Sequence, residues 1–401
     1  MIYYLILVIL CPSERVLCYS STGAALTGEM TMRKDGFYMP ARVLCGDDAV
    51  RKYAGEMKKF GSRALIVTGK HSADACGVYA DICAALDEIG TQYCRFSDVE
   101  PNPSVQTIMK ARDYALEQGV DFVIGAGGGS PMDAAKAIAL MIRHADKDAD
   151  YLYTAGADGS AVPVVCIPTT CGTGSEVTAV SVLSSDKLKT KKSIPFKLFP
   201  QLSLIDGKYL MHAGRKTLNN TGFDALAHLY ESYINSSATP MSRMIAEDGM
   251  RVWKNNLPVL LGEKELDAES AESLMKAAML GGMAIAHTGT SLPHGLSYAL
   301  TYNLGVPHGQ AVCFFMTGYL EAADPEDCAR ALELSGFESV EQFGRIYKEC
   351  CQLPDVPGEV LRKTLDACTV DLAADPAKCK KAPFTVNEEL LRKIAYRSLT
   401  V

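Results

Sequence analysis

The stretch that decides the fold runs Asp121-Phe-Val-Ile-Gly125-Ala-Gly127-Gly128-Gly129-Ser130-Pro131-Met-Asp133-Ala-Ala-Lys136. It passes from a short apolar run, typical of a buried strand, through a glycine-rich loop into a helical pattern with a proline near its start. Proline is tolerated in the first turn of a helix, and glycines let backbone N–H groups approach a phosphate at the positive helix end. The pattern favours a pyrophosphate-binding loop. Its spacing is not the common G-x-G-x-x-G, and a tight strand-to-helix turn would need glycine anyway, so that alternative stays open.

Strand-like and helical patterns alternate around this stretch. Apolar runs predict four strands, at residues 63–69, 93–99, 121–126 and 163–168. Amphipathic patterns predict helices between them, at residues 73–89, 104–118 and 131–144. Such alternation is typical of a parallel sheet covered by helices, and residues 177–184 and 202–206 are expected to add strands. Beyond about residue 215 the pattern is helical only. We predict an α/β dinucleotide-binding domain with a Rossmann-like parallel sheet over residues 30–209 and an all-α domain over residues 210–401.

One aspartate and three histidines stand at spacings that suit a single divalent metal: Asp224, His228, His294 and His308. The first two are four residues apart in a segment that reads as a helix opening at Gly222, and residues at i and i+4 share a helix face. The last two would lie about 21 Å apart along one straight helix, so the chain must turn back at Gly305 and Pro307. Divalent transition metals prefer such carboxylate and imidazole ligands. An Asp/His pair alone is more often a capping or surface pair, so only the set of four supports a metal site in the all-α domain.

A second loop of the predicted sheet is rich in hydroxyl groups and glycine. It follows a buried-type strand in the segment Val164-Val-Cys-Ile-Pro168-Thr169-Thr170-Cys171-Gly172-Thr173-Gly174-Ser175-Glu176-Val177-Thr178. Hydroxyls and free amides in such a loop suit ribose, phosphate or carboxamide contacts. A solvated Ser/Thr turn is the commoner alternative.

Four motifs together resemble the iron-containing, or group III, alcohol dehydrogenase family. They are GGGSPMDAAKA (127–137), PTTCGTGSEVT (168–178), TGFDALAHLYESY (221–233) and HGLSYALTYNLGVPHG (294–309). The resemblance runs from about residue 37 to nearly the C-terminus. It implies a metal-dependent oxidoreductase that transfers a hydride between a primary alcohol or aldehyde and NAD(P). It also implies a dinucleotide-binding N-terminal domain and an all-helical, metal-binding C-terminal domain.

The resemblance assigns roles to individual residues of this chain. It implies that iron, with zinc as the alternative, is bound by Asp224, His228, His294 and His308. It implies that the nucleotide is held by residues of the two loops, namely Gly127, Gly128, Gly129, Ser130, Asp133, Thr169, Thr170 and Thr173. A lysine near the ribose also belongs to the family pattern, and Lys192 is the best candidate for it.

Cofactor choice depends on Gly69, at the end of the first predicted strand. In the family an aspartate at this position marks NAD users, because a carboxylate there binds the ribose hydroxyls and repels a 2'-phosphate. Gly69 removes that repulsion, and Lys70 and Ser72 follow it. We therefore predict NADP, with NAD as the alternative because a loop lysine is often only solvated.

A second departure from the family pattern is Tyr298, where many relatives carry a histidine able to pass protons. A phenol normally titrates near pH 10. Either Tyr298 is a catalytic proton donor, or it shapes the substrate pocket together with Thr178, Val180 and Thr290. Both interpretations stay open.

Other classes of protein remain to be weighed against an alcohol dehydrogenase. A metal-dependent hydrolase would use the same ligands to activate water but would not need a nucleotide loop. A glycerol-dehydrogenase-like polyol dehydrogenase is the nearest alternative among oxidoreductases. A scaffold protein that only binds metal would not need to keep an open position on the ion.

Composition favours a soluble cytoplasmic enzyme. We also expect a small-molecule alcohol or aldehyde substrate and a homo-oligomer such as a dimer, with no nucleic-acid or membrane partner. The chain has 401 residues, 48% of them apolar, and a net charge of -7, which gives no electrostatic footprint for nucleic acid. Its 14 cysteines show no C-x-x-C spacing and indicate reduced thiols. The apolar stretch MIYYLILVIL at residues 1–10 is too short to span a membrane, and it lacks the basic region that begins a signal peptide. We interpret residues 1–29 as an over-extended start or a disordered leader, with a targeting segment as the alternative.

Overall fold

The computed structural model describes residues 36–185, 187 and 189–400. Tyr38–Val401 form one compact unit. The predicted leader, residues 1–29, lies outside the described residues. None of the described helices is long and apolar enough to cross a membrane.

The described residues contain eight strands, of which six form one parallel sheet. They are β1 (Arg42–Cys45), β2 (Arg63–Val67), β3 (Gln92–Phe96), β4 (Phe122–Gly127), β5 (Val164–Pro168), β6 (Val182–Ser185), β7 (Thr190–Ser193) and β8 (Leu202–Ile205). The sheet order is β1-β8-β5-β4-β2-β3, and β6 and β7 form a separate antiparallel hairpin. Every residue of β4 and β5 is buried. These strands are central and covered on both faces, which explains their continuous apolar runs.

The helices flank this sheet and then make up the C-terminal half. They are α1 (Ala49–Lys52), α2 (Ser72–Ala75), α3 (Val78–Glu88), α4 (Val105–Glu117), α5 (Gly129–Arg143), α6 (Arg215–Tyr233), α7 (Pro240–Lys254), α8 (Leu257–Leu261), α9 (Ala268–Thr288), α10 (Leu292–Leu304), α11 (His308–Phe314), α12 (Met316–Ala322), α13 (Pro325–Ser335), α14 (Val340–Cys351), α15 (Gly358–Ala373), α16 (Pro376–Cys379) and α17 (Glu388–Arg397). Short 3-10 helices lie at Ala54–Glu56, Lys58–Phe60, Ala149–Tyr153, Ser175–Val177 and Gly207–His212.

Helix α6 is the centre of the helical half. It packs against α7, α9 and α11, and from Gly222 to Tyr233 all of its residues are buried. Trp253 of α7 is fully buried, and its Nε1 donates a hydrogen bond to the Gly222 carbonyl, 2.6 Å away. Its ring meets Phe223 edge to face, a favourable aromatic geometry. This packing fixes the position of α6 and therefore of its buried polar side chains.

The predicted fold class, a parallel sheet followed by a helical half, is confirmed. Three local predictions were wrong. Helix α6 begins at Arg215 rather than at Gly222, because polar residues in its first turns hid the helical period. Residues 177–184 are not one strand, since a 3-10 turn precedes β6 and β6 pairs outside the main sheet. Residues 73–89 contain two helices, separated by Cys76 and Gly77. Strands β1 and β7 were not predicted.

Candidate metal and nucleotide site

Helix α6 places three polar side chains on one buried face: Asp224, His228 and Glu231. Spacings of four and three residues stack them along one side of the helix. Their exposed fractions are 2%, 4% and 0%. Since an isolated buried charge is costly, these groups require partners.

Asp224 and His228 converge with His294 of α10. Each of the three offers one ligand atom, and these atoms lie within 4.8 Å of one another. The His294 Nε2 to Asp224 Oδ1 distance is 3.7 Å, which is long for a hydrogen bond and suits two ligands each about 2.1 Å from one ion. His308 does not belong to that tight group, but its ring centroid lies 5.3 Å from that of His294.

Three polar atoms of this cluster are buried without a hydrogen-bond partner in the described part of the chain: Asp224 Oδ1, His294 Nε2 and His308 Nδ1. Buried polar atoms in proteins are nearly always paired, so three in one cluster are unusual. A divalent cation accepts lone pairs from a carboxylate oxygen and from imidazole nitrogens, so one ion would satisfy Asp224 Oδ1 and His294 Nε2, which both belong to residues of the tight group. The residues present therefore fit a metal ion.

Protonation favours the same interpretation. Burial lowers the pKa of His294 and of His308 well below 6.5, helped by nearby imidazoles and lysines. Both rings are thus neutral at pH 7, the form that binds a metal. Burial raises the pKa of Asp224, and only attraction to His228 and Lys191 opposes it. A cation in the cluster would stabilise the ionised carboxylate.

Two hydrogen bonds orient the imidazoles. Glu231 accepts the backbone N–H groups of Ser291 and His294, at 3.0 and 3.2 Å, and pairs closely with Nδ1 of His294. The His294 Nε2 is left on the side of Asp224. In the same way Nδ1 of His228 lies 3.2 Å from the Gly172 carbonyl, to which it donates. Partners of this kind fix the tautomer and the ring orientation of metal-binding histidines.

His308 reaches the cluster because the chain turns between α10 and α11, as the spacing predicted. It is the first residue of α11. The next residue is Gly309, where a Cβ atom would lie 1.9 Å from the Asn220 carbonyl oxygen and 3.0 Å from the Asp224 Cβ. Only glycine permits this approach of α11 to α6. The glycine after His308 therefore sets His308 beside Asp224.

The glycine loop lies at the carboxyl edge of the sheet, between β4 and α5. Gly127 and Pro168 are paired at the ends of β4 and β5, and the Thr169 N–H donates to the Gly127 carbonyl at 2.8 Å. The two predicted loops therefore start side by side. Gly127 has a φ of +145°, which disfavours residues with a side chain. Helix α5 begins at Gly129, and its free N–H groups there form an anion-binding end.

Asp133 and Lys136 of α5 hold the second loop. Asp133 accepts hydrogen bonds from Ser175 Oγ at 2.6 Å and from the Val182 N–H at 2.9 Å. The fully buried Lys136 donates to the Ser175 and Val180 carbonyls, at 2.7 and 2.9 Å. Both oxygens of Asp133 are thus engaged by the protein itself, so this residue shapes the loop beside the glycines.

A cavity of about 480 Å³ joins the two regions. It is lined by predicted residues of both kinds, namely Gly129, Ser130, Asp133, Thr173, His228, His294, Tyr298 and His308. Thr178, Val180 and Thr290, which we predicted in the pocket wall, also line it. Gly127, Gly128, Thr169 and Thr170 lie in the adjacent loops, and Gly69 follows the neighbouring strand β2 at the same sheet edge.

The structure does not bring Lys192 into this cavity. Lys192 is exposed on β7, whereas the preceding residue, Lys191, is buried and lines the cavity. Neighbouring residues of a strand point to opposite faces, so Lys191 rather than Lys192 faces the cavity, and strand β7, which was not predicted, decides between them. Burial lowers the pKa of Lys191 to about 8, and its Nζ lies 5.7 Å from the centre of the Tyr298 ring. Burial and nearby carboxylates raise the pKa of Tyr298 to about 12.

Comparison with known families covers both halves of the chain. The family profile described as iron-containing alcohol dehydrogenase matches residues 40–207. The profile for the C-terminal part of the Fe-containing alcohol dehydrogenase family matches residues 219–353. The chain belongs to the iron-containing alcohol dehydrogenase family.

Several known proteins of related sequence or structure are similar to this chain along most of its length. The NAD-dependent methanol dehydrogenase of Bacillus methanolicus is 27% identical over 274 residues, 68% of this chain and 72% of that protein. The NADPH-dependent butanol dehydrogenase of Clostridium saccharobutylicum is 26% identical over 332 residues, 82% of this chain and 80% of that protein. The crystal structure of an iron-containing alcohol dehydrogenase from Thermotoga maritima is 34% identical and superimposes with a TM-score of 0.83, covering 91% of this chain and 99% of that one.

Membership of the iron-containing alcohol dehydrogenase family makes this protein a metal-containing, NAD(P)-dependent oxidoreductase that acts on alcohols or aldehydes. The motifs predicted this class. The hydrolase alternative is set aside, because the nucleotide loops and the metal cluster open on one cavity.

Sequence reasoning missed three residues that line or support the candidate site of this protein: Glu231, Lys191 and Lys378. Glu231 lies two turns after Asp224 on the same helix face, so helical periodicity alone was enough to find it. Lys191 required the strand register. Lys378 lines the cavity from the short helix α16, far along the chain from the other site residues, and no local pattern marks it.

Proposed function

We propose that this protein is an iron-dependent alcohol dehydrogenase, or aldehyde reductase, that prefers NADP and binds its metal through Asp224, His228, His294 and His308. The observation that carries the proposal is the cluster of buried, unpaired ligand atoms on Asp224, His294 and His308, at the cavity that the glycine loop also lines. The overall reaction is RCH2OH + NAD(P)+ ⇌ RCHO + NAD(P)H + H+.

Iron is proposed over zinc from the family description. One carboxylate and three imidazoles, without a thiolate, suit either ion. The nucleotide is proposed to bind the loops after β4 and β5, through Gly127, Gly128, Gly129, Ser130, Thr169, Thr170 and Thr173. For the ribose we propose Lys191 in place of Lys192. The gap between the two family profiles, after residue 207 and before residue 219, supports a domain boundary near residue 210.

When bound, the metal would polarise the alcohol or aldehyde oxygen as a Lewis acid, and the nicotinamide would accept or donate the hydride. The protein's own residues supply orientation and exclusion of water. Glu231 and the Gly172 carbonyl hold the His294 and His228 rings. Val180, Val182 and Ile285 give the cavity an apolar wall. We propose that Tyr298 shapes this wall, because its hydroxyl keeps its proton at neutral pH.

The proposed metal and cofactor can be tested in one experiment. Protein purified without metal is loaded anaerobically with Fe²⁺ or Zn²⁺ and assayed with a panel of primary alcohols and aldehydes, with NADP(H) and NAD(H). The proposal expects turnover that depends on added Fe²⁺ and a higher kcat/KM with NADP(H). Metal-independent turnover, or none on any member of the panel, would overturn it.

Cofactor preference has a sharper test in Gly69→Asp. A Cβ at Gly69 would lie 3.6 Å from Ser72 Oγ and 3.7 Å from the Val99 carbonyl oxygen, which are ordinary contacts. The substitution therefore fits the fold. A carboxylate beside a 2'-phosphate costs several kcal/mol, so the KM for NADP should rise by roughly 100-fold while that for NAD changes little. Equal effects on both cofactors would show that the adenosine end binds elsewhere.

A further inference from the structure

Two lysines enter the cavity wall from the C-terminal part of the chain. Lys378 belongs to α16 and Lys381 follows that helix, and both side chains are half-buried. Lys378 Nζ donates to the Thr290 hydroxyl at 2.7 Å and to the Thr290 carbonyl at 3.2 Å. Lys381 Nζ donates to the Thr288 carbonyl at 2.7 Å and to Ser237 Oγ at 3.3 Å. Both ammonium groups are thus anchored on the segment that joins α9 to α10.

This anchoring places the lysines on the metal side of the cavity. Thr290 is followed by Ser291, whose N–H donates to Glu231, and Glu231 in turn holds His294. Burial lowers the pKa of Lys378, while Glu231 and Asp375 act to raise it and Lys381 to lower it further. The two ammonium groups therefore feel each other's charge beside the candidate metal ligands.

Neither lysine forms a close ion pair with a described residue of the protein. No carboxylate oxygen of the described residues lies within 4.0 Å of either Nζ. Asp375 lines the same cavity, but its Oδ1 accepts the N–H groups of Ala377 and Lys378 at the start of α16. Glu231 is saturated by three donors of the α10 region. Each ammonium group has three donors and uses two, so one N–H of each remains for a ligand.

We propose that Lys378 and Lys381 form an anion subsite, and that the substrate of this enzyme is a short aldehyde or primary alcohol carrying a carboxylate or a similar anionic group. This inference rests on the proposed function, since it needs the reacting oxygen at the metal cluster. A neutral alkyl substrate would leave the third N–H group of each lysine without a partner inside the cavity, which is unfavourable. An anionic substituent satisfies both and fixes the substrate's orientation.

The test compares 4-oxobutanoate with pentanal, an uncharged aldehyde of similar length, using NADPH and the iron-loaded protein. We expect kcat/KM for 4-oxobutanoate to exceed that for pentanal by about tenfold or more, because hydrogen bonds to charged groups contribute on that scale. Lys378→Gln and Lys381→Gln keep a side-chain donor but remove the charge. Each should lower the ratio by roughly tenfold, because kcat/KM for 4-oxobutanoate should fall by much more than kcat/KM for pentanal.

The chain offers a matched control in Lys380→Gln, since Lys380 lies in the same segment, is exposed and does not line the cavity. This variant should keep the wild-type ratio. A second readout is calorimetric binding of 4-hydroxybutanoate and of 1-pentanol, which does not depend on turnover. Only the former should weaken in the Lys378 and Lys381 variants.

Three outcomes would overturn the inference. Equal efficiency with the two aldehydes in the wild-type protein would show no anion preference. An equal loss for both aldehydes in the variants would indicate that the lysines only support the fold. A rise in the KM for NADPH, with the aldehyde ratio unchanged, would assign them to a phosphate of the nucleotide. Failure of the proposed function itself looks different: neither aldehyde is turned over, while the binding measurement still decides the subsite.

Discussion

The two sides of the cavity differ in whether the backbone or the side chains form them. The proposed nucleotide side includes a run of consecutive residues, from Gly125 to Asp133, in which the backbone and the absence of side chains matter most. The proposed metal side is made of side chains from α6, α10 and α11. The fold brings them together although they lie up to 84 residues apart in the sequence. Its donors are held by partners that are themselves distant, such as Gly172 for His228.

This difference determines how each side tolerates change. On the proposed metal side each ligand is one side chain, so we expect its removal to abolish function and leave the helices packed. At Gly125 an added methyl group would meet the Met132 Cα and the Pro131 carbonyl oxygen, so we expect a small change there to damage the fold first. Substitutions on the two sides should therefore separate stability from activity, and the four predictions below run from the largest expected effect to the smallest.

His308→Ala should remove function without unfolding the protein, because His308 is half-buried at the start of α11 and Gly309 still sets the helix contact. We expect most bound metal to be lost and kcat/KM to fall on the order of 1000-fold, since a metal contributes several kcal/mol to catalysis. Mass spectrometry measures the loss of metal, and the unfolding temperature shows whether the fold is retained. The exposed His212 gives a control, His212→Ala, that should keep both metal and activity. Retained metal with full activity in His308→Ala would exclude His308 as a ligand.

Glu231→Gln should weaken the metal without removing a ligand. The new amide places an N–H group against the N–H donors of Ser291 and His294, or against Nδ1 of His294. Loss of such a supporting contact lowers metal affinity by roughly 10–100-fold. Competition with a chelator measures the affinity, and activity at saturating metal should recover in part. Unchanged affinity would mean that the His294 ring is held by packing alone.

Gly125→Ala should act on stability. A Cβ at Gly125 would lie 2.7 Å from the Ala135 Cβ and 3.0 Å from the Met132 Cα, so α5 must move away from β4. Overpacking of this kind costs about 1–3 kcal/mol, measured as the free energy of unfolding in denaturant. Gly128→Ala is the matched control, because its Cβ would lie 3.4 Å from Thr170 Oγ1 and its stability should change by no more than about 0.5 kcal/mol. Equal stability of the two variants would show that the strand and the helix are not tightly packed there.

Tyr298→Phe should have the smallest effect. Because burial and neighbouring carboxylates raise the pKa of Tyr298 to about 12, the phenol stays protonated and is a poor relay at neutral pH. We expect kcat to change by no more than about threefold, which is under roughly 1 kcal/mol. Tyr298→His should change the substrate range rather than the pH-rate profile. A fall of roughly 100-fold in kcat for the Phe variant, the scale of lost acid-base help, would make Tyr298 a proton donor.

The same difference explains what the sequence predicted and what it did not. The glycine loop and its flanking β4 and α5 were predicted almost to the residue, because their signals are consecutive. The turn between His294 and His308 was also predictable, since the spacing excludes a single helix. Lys191 was missed because strand β7 was not predicted, so nothing in the sequence distinguished Lys191 from its exposed neighbour Lys192. Lys378 was missed because only tertiary packing of α16 against Thr290 brings it to the site.

The order of strands in the sheet also determines when each strand can pair during synthesis of the chain. Strand β1 is the first of the described strands to leave the ribosome, yet its partner in the sheet is β8, with Arg42 opposite Leu202. At about 5–20 residues per second, the roughly 160 residues between them take about 8–30 s to make. During that time the nascent chain holds an unpaired β1, while β2 to β5 already have neighbours to pair with. His308, the last of the proposed metal ligands, follows roughly 100 residues after β8. The complete set of proposed ligands therefore exists only after every strand of the main sheet has been synthesised, and we expect metal insertion to be a late step in the maturation of the enzyme.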